Sequence, residues 1–179
     1  MKPTPAWRNF EWLSGEWRLC LACNRWAGDR AIVSLFRVIS RLGDGAVWYA
    51  LMLGIAFFGG ASAGPAALHM AVSGVIAATL YRLLKRWTRR PRPFRSHAQI
   101  VAHIAPLDEF SFPSGHTLHA VNFSLIASAW YPQLIVVLAP LTALIALSRV
   151  VLGLHYPSDV AVAVLIGFAL AESSCLLVF

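Results

Sequence analysis

Three short polar motifs lie among strongly apolar stretches of this 179-residue chain. They combine cationic side chains, a glycine that precedes a histidine, and a second histidine followed four residues later by an aspartate. The motifs are Lys85 with Arg92-Pro93, Pro113-Ser114-Gly115-His116, and Ser148-Arg149 with His155 and Asp159. Cations bind phosphate oxygens, and a histidine can attack phosphorus or donate a proton. The pattern therefore indicates chemistry on a phosphate group.

The first motif pairs two cations at the end of an apolar run. Lys85 and Arg92 are seven residues apart, and Pro91 and Pro93 keep the intervening chain from folding back into helix. A guanidinium offers a planar fork to two phosphate oxygens, and an ammonium supplies a compact charge. The two side chains can therefore contact one phosphoryl group from two sides. The alternative is a positive flank that anchors or orients the helix end.

The second motif has the pattern of a helix start. Ser114 lies where an N-cap residue would begin the next helix, and Gly115 lets the backbone approach a ligand. Backbone N–H groups at such a start bind anions without a charged side chain. His116 would then lie at the mouth of the site and could donate a proton to a leaving oxygen. Taken alone, the motif fits an ordinary N-cap and an interfacial histidine equally well.

The third motif places a carboxylate about one turn of helix beyond a histidine. Pro157 suits a first helical position, so Asp159 can reach the imidazole of His155. If the carboxylate holds one ring nitrogen, the other directs its lone pair at phosphorus, which predicts a nucleophile that forms phosphohistidine. Arg149 supplies a third cation. The alternative role for Asp159 is a helix N-terminal acid that is favourable with the helix dipole.

Composition indicates where these motifs operate. Hydrophobic residues make up 58% of the chain and charged residues 13%, and the mean hydropathy is +0.64, values that exclude an ordinary soluble domain. The net charge is +7, but six cations crowd into residues 85–95 beside an apolar run. This placement favours anionic lipid headgroups over nucleic acid as the partner.

Apolar runs and their punctuation predict an all-α fold, a polytopic membrane helical bundle of about five spanning helices. The predicted spans are residues 46–59, 66–84, 116–130, 133–150 and 160–179. Residues 6–41 interleave apolar side chains with six arginines, as is typical of helices along a membrane interface, and a solvated helical cap is the alternative. We therefore predict an N-terminal amphipathic interfacial region over residues 1–45 and a membrane domain over residues 46–179.

These spans place the three motifs on one membrane face. Residues 85–115 leave the second span, two further spans return the chain at Val150, and Tyr131-Pro132 lies on the opposite face. Helices of a bundle bring their ends together, so residues roughly 70 apart in sequence can converge on one phosphate.

The three motifs resemble the signature of the type 2 phosphatidic acid phosphatase superfamily in residue types and spacing. The resemblance covers residues 42 to 175, and the first forty residues lack an additional span that many relatives carry. It implies metal-independent hydrolysis through phosphohistidine, with no cofactor. By motif position, His155 would be the nucleophile, Asp159 its orienting partner and His116 the general acid. The residues that would hold the phosphoryl group are Lys85, Arg92, Ser114, Gly115 and Arg149.

The substrate class that this resemblance implies is a phosphorylated lipid. The short chain favours the conversion of undecaprenyl pyrophosphate to undecaprenyl phosphate. Alternatives are phosphatidylglycerophosphate, phosphatidic acid, a prenyl-linked phosphosugar, a lipid A phosphate, or phosphate transfer to another lipid. A protein that only binds or transports phosphate lipids would not need the two histidines. The sequence does not indicate an oligomeric state.

Two arguments about membrane orientation disagree. The resemblance implies a bacterial inner-membrane protein with a periplasmic active site. The positive-inside rule would place the same face in the cytoplasm, because without an N-terminal span all lysines and arginines lie on it. Six cations have a possible ligand role and do not report topology alone, whereas the arginines of residues 8–41 do. We expect a periplasmic site, with a cytoplasmic site as the alternative.

Overall fold

A computed structural model describes residues 15–179, and all their regular elements are helical. The eight α-helices of this part of the chain are α1 (Glu16–Trp26), α2 (Arg30–Leu42), α3 (Ala46–Phe58), α4 (Ala63–Thr88), α5 (Pro93–Ser96), α6 (Gly115–Trp130), α7 (Ile135–Val151) and α8 (Pro157–Val178). Short 3₁₀ turns precede α4 and α7 at Gly60–Ser62 and Pro132–Leu134. The part of the predicted N-terminal region that precedes residue 15 lies outside the described residues.

Three helical segments of the described chain are long and apolar enough to cross a membrane, namely Gly60–Ser96, Pro132–Val151 and Pro157–Val178. Helices α2 and α3, bent by 48° relative to each other, meet the same test as a pair and would make a fourth. The sequence predicted about five spans. The difference arises because α3 has 13 residues and α6 has 16, whereas a perpendicular crossing needs roughly 20.

Helix α6 lies at the centre of the bundle and packs against α4, α7 and α8. Its buried face includes Leu118 and Ile126, neither of which is exposed. Close packing with α8 depends on Gly167, because a Cβ atom there would lie 2.8 Å from the carbonyl oxygen of Leu118. Buried polar groups on α6 bond to neighbouring helices, as when Asn122 Oδ1 accepts the Ser73 hydroxyl at 2.9 Å.

Two turns position the residues of the motifs. Helix α4 is followed by its C-cap residue Arg89, whose φ of 51° is in the left-handed region, and the chain then enters the proline-rich stretch before α5. Between α7 and α8, Gly153 has a φ of 74°. A Cβ at Gly153 would lie 2.5 Å from the carbonyl oxygen of Val101, so only glycine fits this turn. The two turns bring the end of α4 and the α7–α8 loop to one end of the bundle.

Helices α1 and α2 dock against that same end. Helix α1 contacts α7 and α8, and α2 contacts α7. The Asn24 side chain is buried and donates to the carbonyl oxygens of Val101 at 3.0 Å and Val151 at 2.9 Å, while its oxygen accepts the Val101 N–H. The described part of the N-terminal region therefore braces the loops that carry the motifs.

Candidate active site

A cavity of about 750 Å³ lies between α3, α4 and α6, and most of the predicted site residues line one end of it. The predicted residues at this end are Lys85, Arg92, Gly115, His116, Arg149 and His155. Ser114 and Asp159 are fully buried and do not line the cavity. They meet directly, because the Ser114 N–H donates to the Asp159 carbonyl oxygen at 3.2 Å. The fold thus brings all three motifs together.

His155 is buried in the α7–α8 loop with its two ring nitrogens in different environments. Nε2 lies 3.2 Å from Nη1 of Arg92, and since a guanidinium only donates, Nε2 accepts and Nδ1 carries the ring proton. Nδ1 faces Oδ2 of Asp159 at 3.7 Å, beyond hydrogen-bonding distance. Burial, followed by the positive charges of Arg92 and Arg149, lowers the pKa of His155 well below 6.5. The ring is therefore neutral at pH 7, with a lone pair on Nε2.

The Asp159 carboxylate is held by groups that the sequence analysis did not connect with it. Its Oδ1 accepts from Nη1 of Arg90 at 2.6 Å, and its Oδ2 accepts the backbone N–H of Tyr156 at 2.8 Å. Arg90 also bonds to Glu16 of α1, and Glu16 accepts the N–H of Ser158 at 3.1 Å. Arg90, a plausible membrane flank by sequence alone, is buried here and links α1 to Asp159.

Lys85 and Arg92 share one carboxylate, that of Asp108 in the loop between α5 and α6. Lys85 Nζ donates to both Asp108 oxygens at 2.6 and 2.7 Å, and Arg92 Nη2 donates to one of them at 2.8 Å. Burial would raise the pKa of Asp108, but the two cations outweigh it and lower the pKa below its ordinary value. The Asp108 carboxylate thus takes the cationic groups that a phosphoryl group would use.

Arg149 retains an unused donor. Its Nη1 donates to the Ser40 hydroxyl of α2, but its Nε has no hydrogen-bond partner among the described residues. The side chain is buried and lines the cavity. Leaving a buried donor unpaired costs on the order of 1–3 kcal/mol. A phosphate oxygen bound at this end of the cavity could satisfy that donor.

The start of α6 has the predicted position but a different cap. Ser114 is the N-cap residue, and its hydroxyl bonds to the Thr117 hydroxyl at 3.0 Å instead of a backbone N–H. Gly115 borders the cavity, and a Cβ atom there would make only an ordinary contact with Tyr81 at 3.5 Å. The protein's own atoms therefore leave room for a side chain at Gly115, which in this structure opens onto the cavity.

His116 has a partner that sequence reasoning missed. Its Nε2 lies 2.5 Å from Oδ1 of Asp44, which precedes α3, and both residues line the cavity. The available signal was an acid in the Leu42-Gly43-Asp44-Gly45 stretch, between two apolar segments. Residues 15–179 hold no group of three or more His, Cys, Asp or Glu side chains arranged to bind a metal ion.

Comparison with known proteins identifies the family. Residues 66–178 match the PAP2 superfamily. The chain belongs to the PAP2 superfamily. All eight predicted site residues fall inside the matched segment, whereas Asp44 and Glu16 precede it.

Relatives of this chain are named as phosphatases. Decaprenylphosphoryl-5-phosphoribose phosphatase of Mycobacterium tuberculosis is 37% identical over 94 residues, 51% of this chain and 50% of that protein. The chain thus spans about half the length of that relative. Undecaprenyl-diphosphatase BcrC of Bacillus subtilis is 32% identical over 138 residues, 73% of this chain and 70% of that protein.

A solved PAP2 structure has the same fold. The transmembrane phosphatidylglycerolphosphate phosphatase of Bacillus subtilis superposes with a TM-score of 0.74 at 22% identity, covering 90% of this chain and 83% of that one. The long apolar helices of this chain, together with its PAP2 membership and fold, support an integral membrane protein.

Proposed function

We propose that this protein is a lipid phosphatase that hydrolyses a phosphomonoester or pyrophosphate through a phosphohistidine intermediate on His155. The observation that carries the proposal is the neutral His155 ring, whose Nε2 lone pair lies beside Arg92 at the cationic end of the cavity. A nucleophilic nitrogen surrounded by cations suits attack on an anionic phosphoryl group.

In the first step, the phosphoryl group replaces Asp108 as the acceptor of hydrogen bonds from Lys85 and Arg92. Its oxygens also accept a hydrogen bond from Nε of Arg149. Nε2 of His155 attacks phosphorus, and the bond from phosphorus to the leaving oxygen breaks. His116 donates a proton to that oxygen. Asp159, which faces Nδ1, stabilises the positive charge that develops on the His155 ring. Ser114 and Gly115 supply the start of α6, whose N–H groups bind the transferred phosphoryl oxygens.

In the second step, water attacks phosphorus of the phosphohistidine and the nitrogen–phosphorus bond breaks. The now neutral His116 accepts the proton of the water, and inorganic phosphate leaves. His155 recovers its lone pair. His116 therefore acts as an acid in one step and as a base in the next, returning to its first protonation state.

We propose that the reaction needs neither a metal ion nor a cofactor. Phosphoryl transfer depends mainly on positioning and on stabilisation of the equatorial oxygens. Lys85, Arg92 and Arg149 provide three positive charges at the cavity end, and Asp159 and Asp108 keep the local charge balanced. These groups could supply the charge stabilisation that metal ions provide in other phosphoryl-transfer enzymes.

The substrate we favour is a polyprenyl pyrophosphate, with undecaprenyl pyrophosphate first. The cavity continues from the cationic end along apolar side chains of α3, α4 and α6, among them Trp48, Leu53, Val75 and Phe123. Such a surface suits an isoprenoid chain. The B. subtilis relative is named as an undecaprenyl-diphosphatase. A prenyl-linked phosphosugar is the second candidate, favoured by the name of the M. tuberculosis relative.

We further propose a bacterial inner-membrane location with a periplasmic site. In this arrangement α3 and α6 are short crossings that complete five spans, and α1 and α2 lie at the interface. Exposed side chains of Leu35 and Val38 on α2 support interfacial placement. A cysteine introduced at exposed Glu109 tests the site's side. In intact cells, with the unsubstituted chain as control, labelling by an impermeant maleimide is expected, and labelling only by a permeant reagent would contradict a periplasmic site.

Phosphate release by the detergent-purified protein in EDTA tests the function. Undecaprenyl pyrophosphate, a polyprenyl phosphosugar, phosphatidylglycerophosphate and phosphatidic acid are compared in parallel. We expect turnover to favour a polyprenyl lipid and to fall at least about 1000-fold in His155→Ala. His103→Ala, in a loop outside the cavity, is the matched histidine control. Full activity in His155→Ala, or activity that EDTA abolishes and magnesium restores, would contradict the proposal.

A further inference from the structure

The α2–α3 junction is shaped around the ring of His116. Asp44 Oδ1 lies 2.5 Å from His116 Nε2. A Cβ atom at Gly43 would lie 3.0 Å from Cδ2 of the same ring and 3.1 Å from Ile145, so the imidazole packs against this backbone. Gly45 has a φ of 116°, which glycine adopts far more readily than other residues. Two glycines thus hold one carboxylate against one ring nitrogen.

We propose that Asp44 is a positioning residue that fixes the tautomer and orientation of His116 for proton transfer, an inference that rests on the proposed function. A carboxylate accepts the proton of Nε2, which leaves Nδ1 as the nitrogen that exchanges a proton with substrate. In the first step the Nδ1 proton passes to the leaving oxygen as the phosphorus–oxygen bond breaks. In the second step Nδ1 takes a proton from the attacking water as the nitrogen–phosphorus bond breaks.

The charges around His116 explain why it needs an acidic partner. Burial of the ring and the positive charges of Arg149 and Lys85, which line the same cavity, disfavour the imidazolium that a general acid must be. Asp44 opposes them, and it is itself faced by Arg149 and Arg41. Within residues 15–179, the other charged groups that act on the ring are Arg149 and Lys85, and both are cations. The Asp44 carboxylate therefore favours a second proton on His116, in opposition to burial and the two cations.

The site then has two histidine–carboxylate pairs supplied by different parts of the chain. His155 and Asp159 both lie within the segment that matches the PAP2 superfamily, residues 66–178. Asp44 precedes that segment and reaches His116 from 72 positions earlier in the sequence. The α2–α3 junction, which lies outside the matched segment, would thus supply the carboxylate partner of His116.

The leaving group distinguishes a defect in proton transfer from a defect in folding or phosphate binding. An alkyl phosphate releases a strongly basic alkoxide that needs protonation, whereas nitrophenyl phosphate releases a stable phenolate that does not. We measure alcohol or phenol release in single turnover by the purified protein, so that only the first step is observed. The variants are Asp44→Asn, His116→Ala, and Asp29→Asn, an exposed acid that caps α2.

We expect Asp44→Asn to slow alkyl phosphate cleavage by roughly 10- to 100-fold, with the half-saturating concentration within about threefold, and to slow nitrophenyl phosphate cleavage by less than about threefold. His116→Ala should show the same selectivity more strongly, and Asp29→Asn should match the unsubstituted protein. Asp44→Glu, which restores a carboxylate, should recover part of the lost rate.

Other outcomes would overturn the inference. Equal loss on both phosphates in Asp44→Asn, while His116→Ala remains selective, would mean that Asp44 has a structural role and would leave the proposed function intact. If His116→Ala slowed the cleavage of both phosphates equally, His116 would not be the general acid, and this inference would fail with that assignment. No cleavage of any phosphate by the unsubstituted protein would refute the proposed function itself.

Discussion

Replacing Asp108 with asparagine should tighten the binding of inorganic phosphate about tenfold. Asp108 occupies Lys85 and Arg92 through three charge-assisted hydrogen bonds of 2.6 to 2.8 Å. Each such bond is worth roughly 1.5–3 kcal/mol when buried. The Asp108 side chain is 38% exposed, however, and solvent screening reduces that value. If this competition weakens the binding free energy of phosphate by about 1.4 kcal/mol, its removal lowers the inhibition constant by about a factor of ten.

The assay is competitive inhibition of lipid hydrolysis by inorganic phosphate. The lowered pKa of Asp108 keeps its carboxylate charged at neutral pH, so the competition is present under ordinary conditions. Glu109→Gln is the matched control, because Glu109 pairs with Arg95 at 3.3 Å where the two side chains are 65% and 46% exposed. An inhibition constant that is unchanged or higher in Asp108→Asn would refute the reasoning. Asp108 would then hold the cations in place instead of competing with phosphate.

Three further results are expected. Gly153→Ala should lower both Tm and kcat, because the new Cβ would lie 2.5 Å from the Val101 carbonyl oxygen; Gly64→Ala, which meets no atom within 4 Å, should change neither. Because the pKa of His155 is lowered, the nucleophile stays neutral as pH falls, so the acid limb of kcat/KM should lie below pH 6.5, and a midpoint at or above 6.5 would contradict this. Glu16→Gln should reduce kcat roughly fivefold with KM unchanged in steady-state kinetics, because Glu16 bonds to Arg90, which in turn holds the Asp159 carboxylate. A change in KM alone would contradict the link to Asp159.

The sequence was most informative where spacing within a motif decides proximity. The four-residue step from His155 to Asp159 predicted their approach, and alternating spans predicted that the motifs share one face. The structure brings them to one cavity end. A local pattern suffices in such cases because helix geometry fixes which side chains are neighbours.

Residues that act through tertiary contacts were not predictable in this way. Arg90 reaches Asp159 across 69 positions, and Glu16 reaches Ser158 across 142. No periodicity connects such pairs, so a run of arginines beside a span resembles an electrostatic flank. The extent of α6 was predicted well, because Gly115–Trp130 agrees closely with the predicted run at residues 116–130. Its central position among α4, α7 and α8 was not predictable from that run.

The central claim is tested most directly by trapping the phosphorylated enzyme. The purified protein is mixed with a lipid substrate labelled with ³²P in the transferred phosphate and quenched in alkali within milliseconds, conditions under which phosphohistidine survives. We predict label that is stable to base, labile to acid and located on His155, and that disappears in His155→Ala. Turnover without trapped label, together with retained activity in His155→Ala, would contradict covalent catalysis by this histidine.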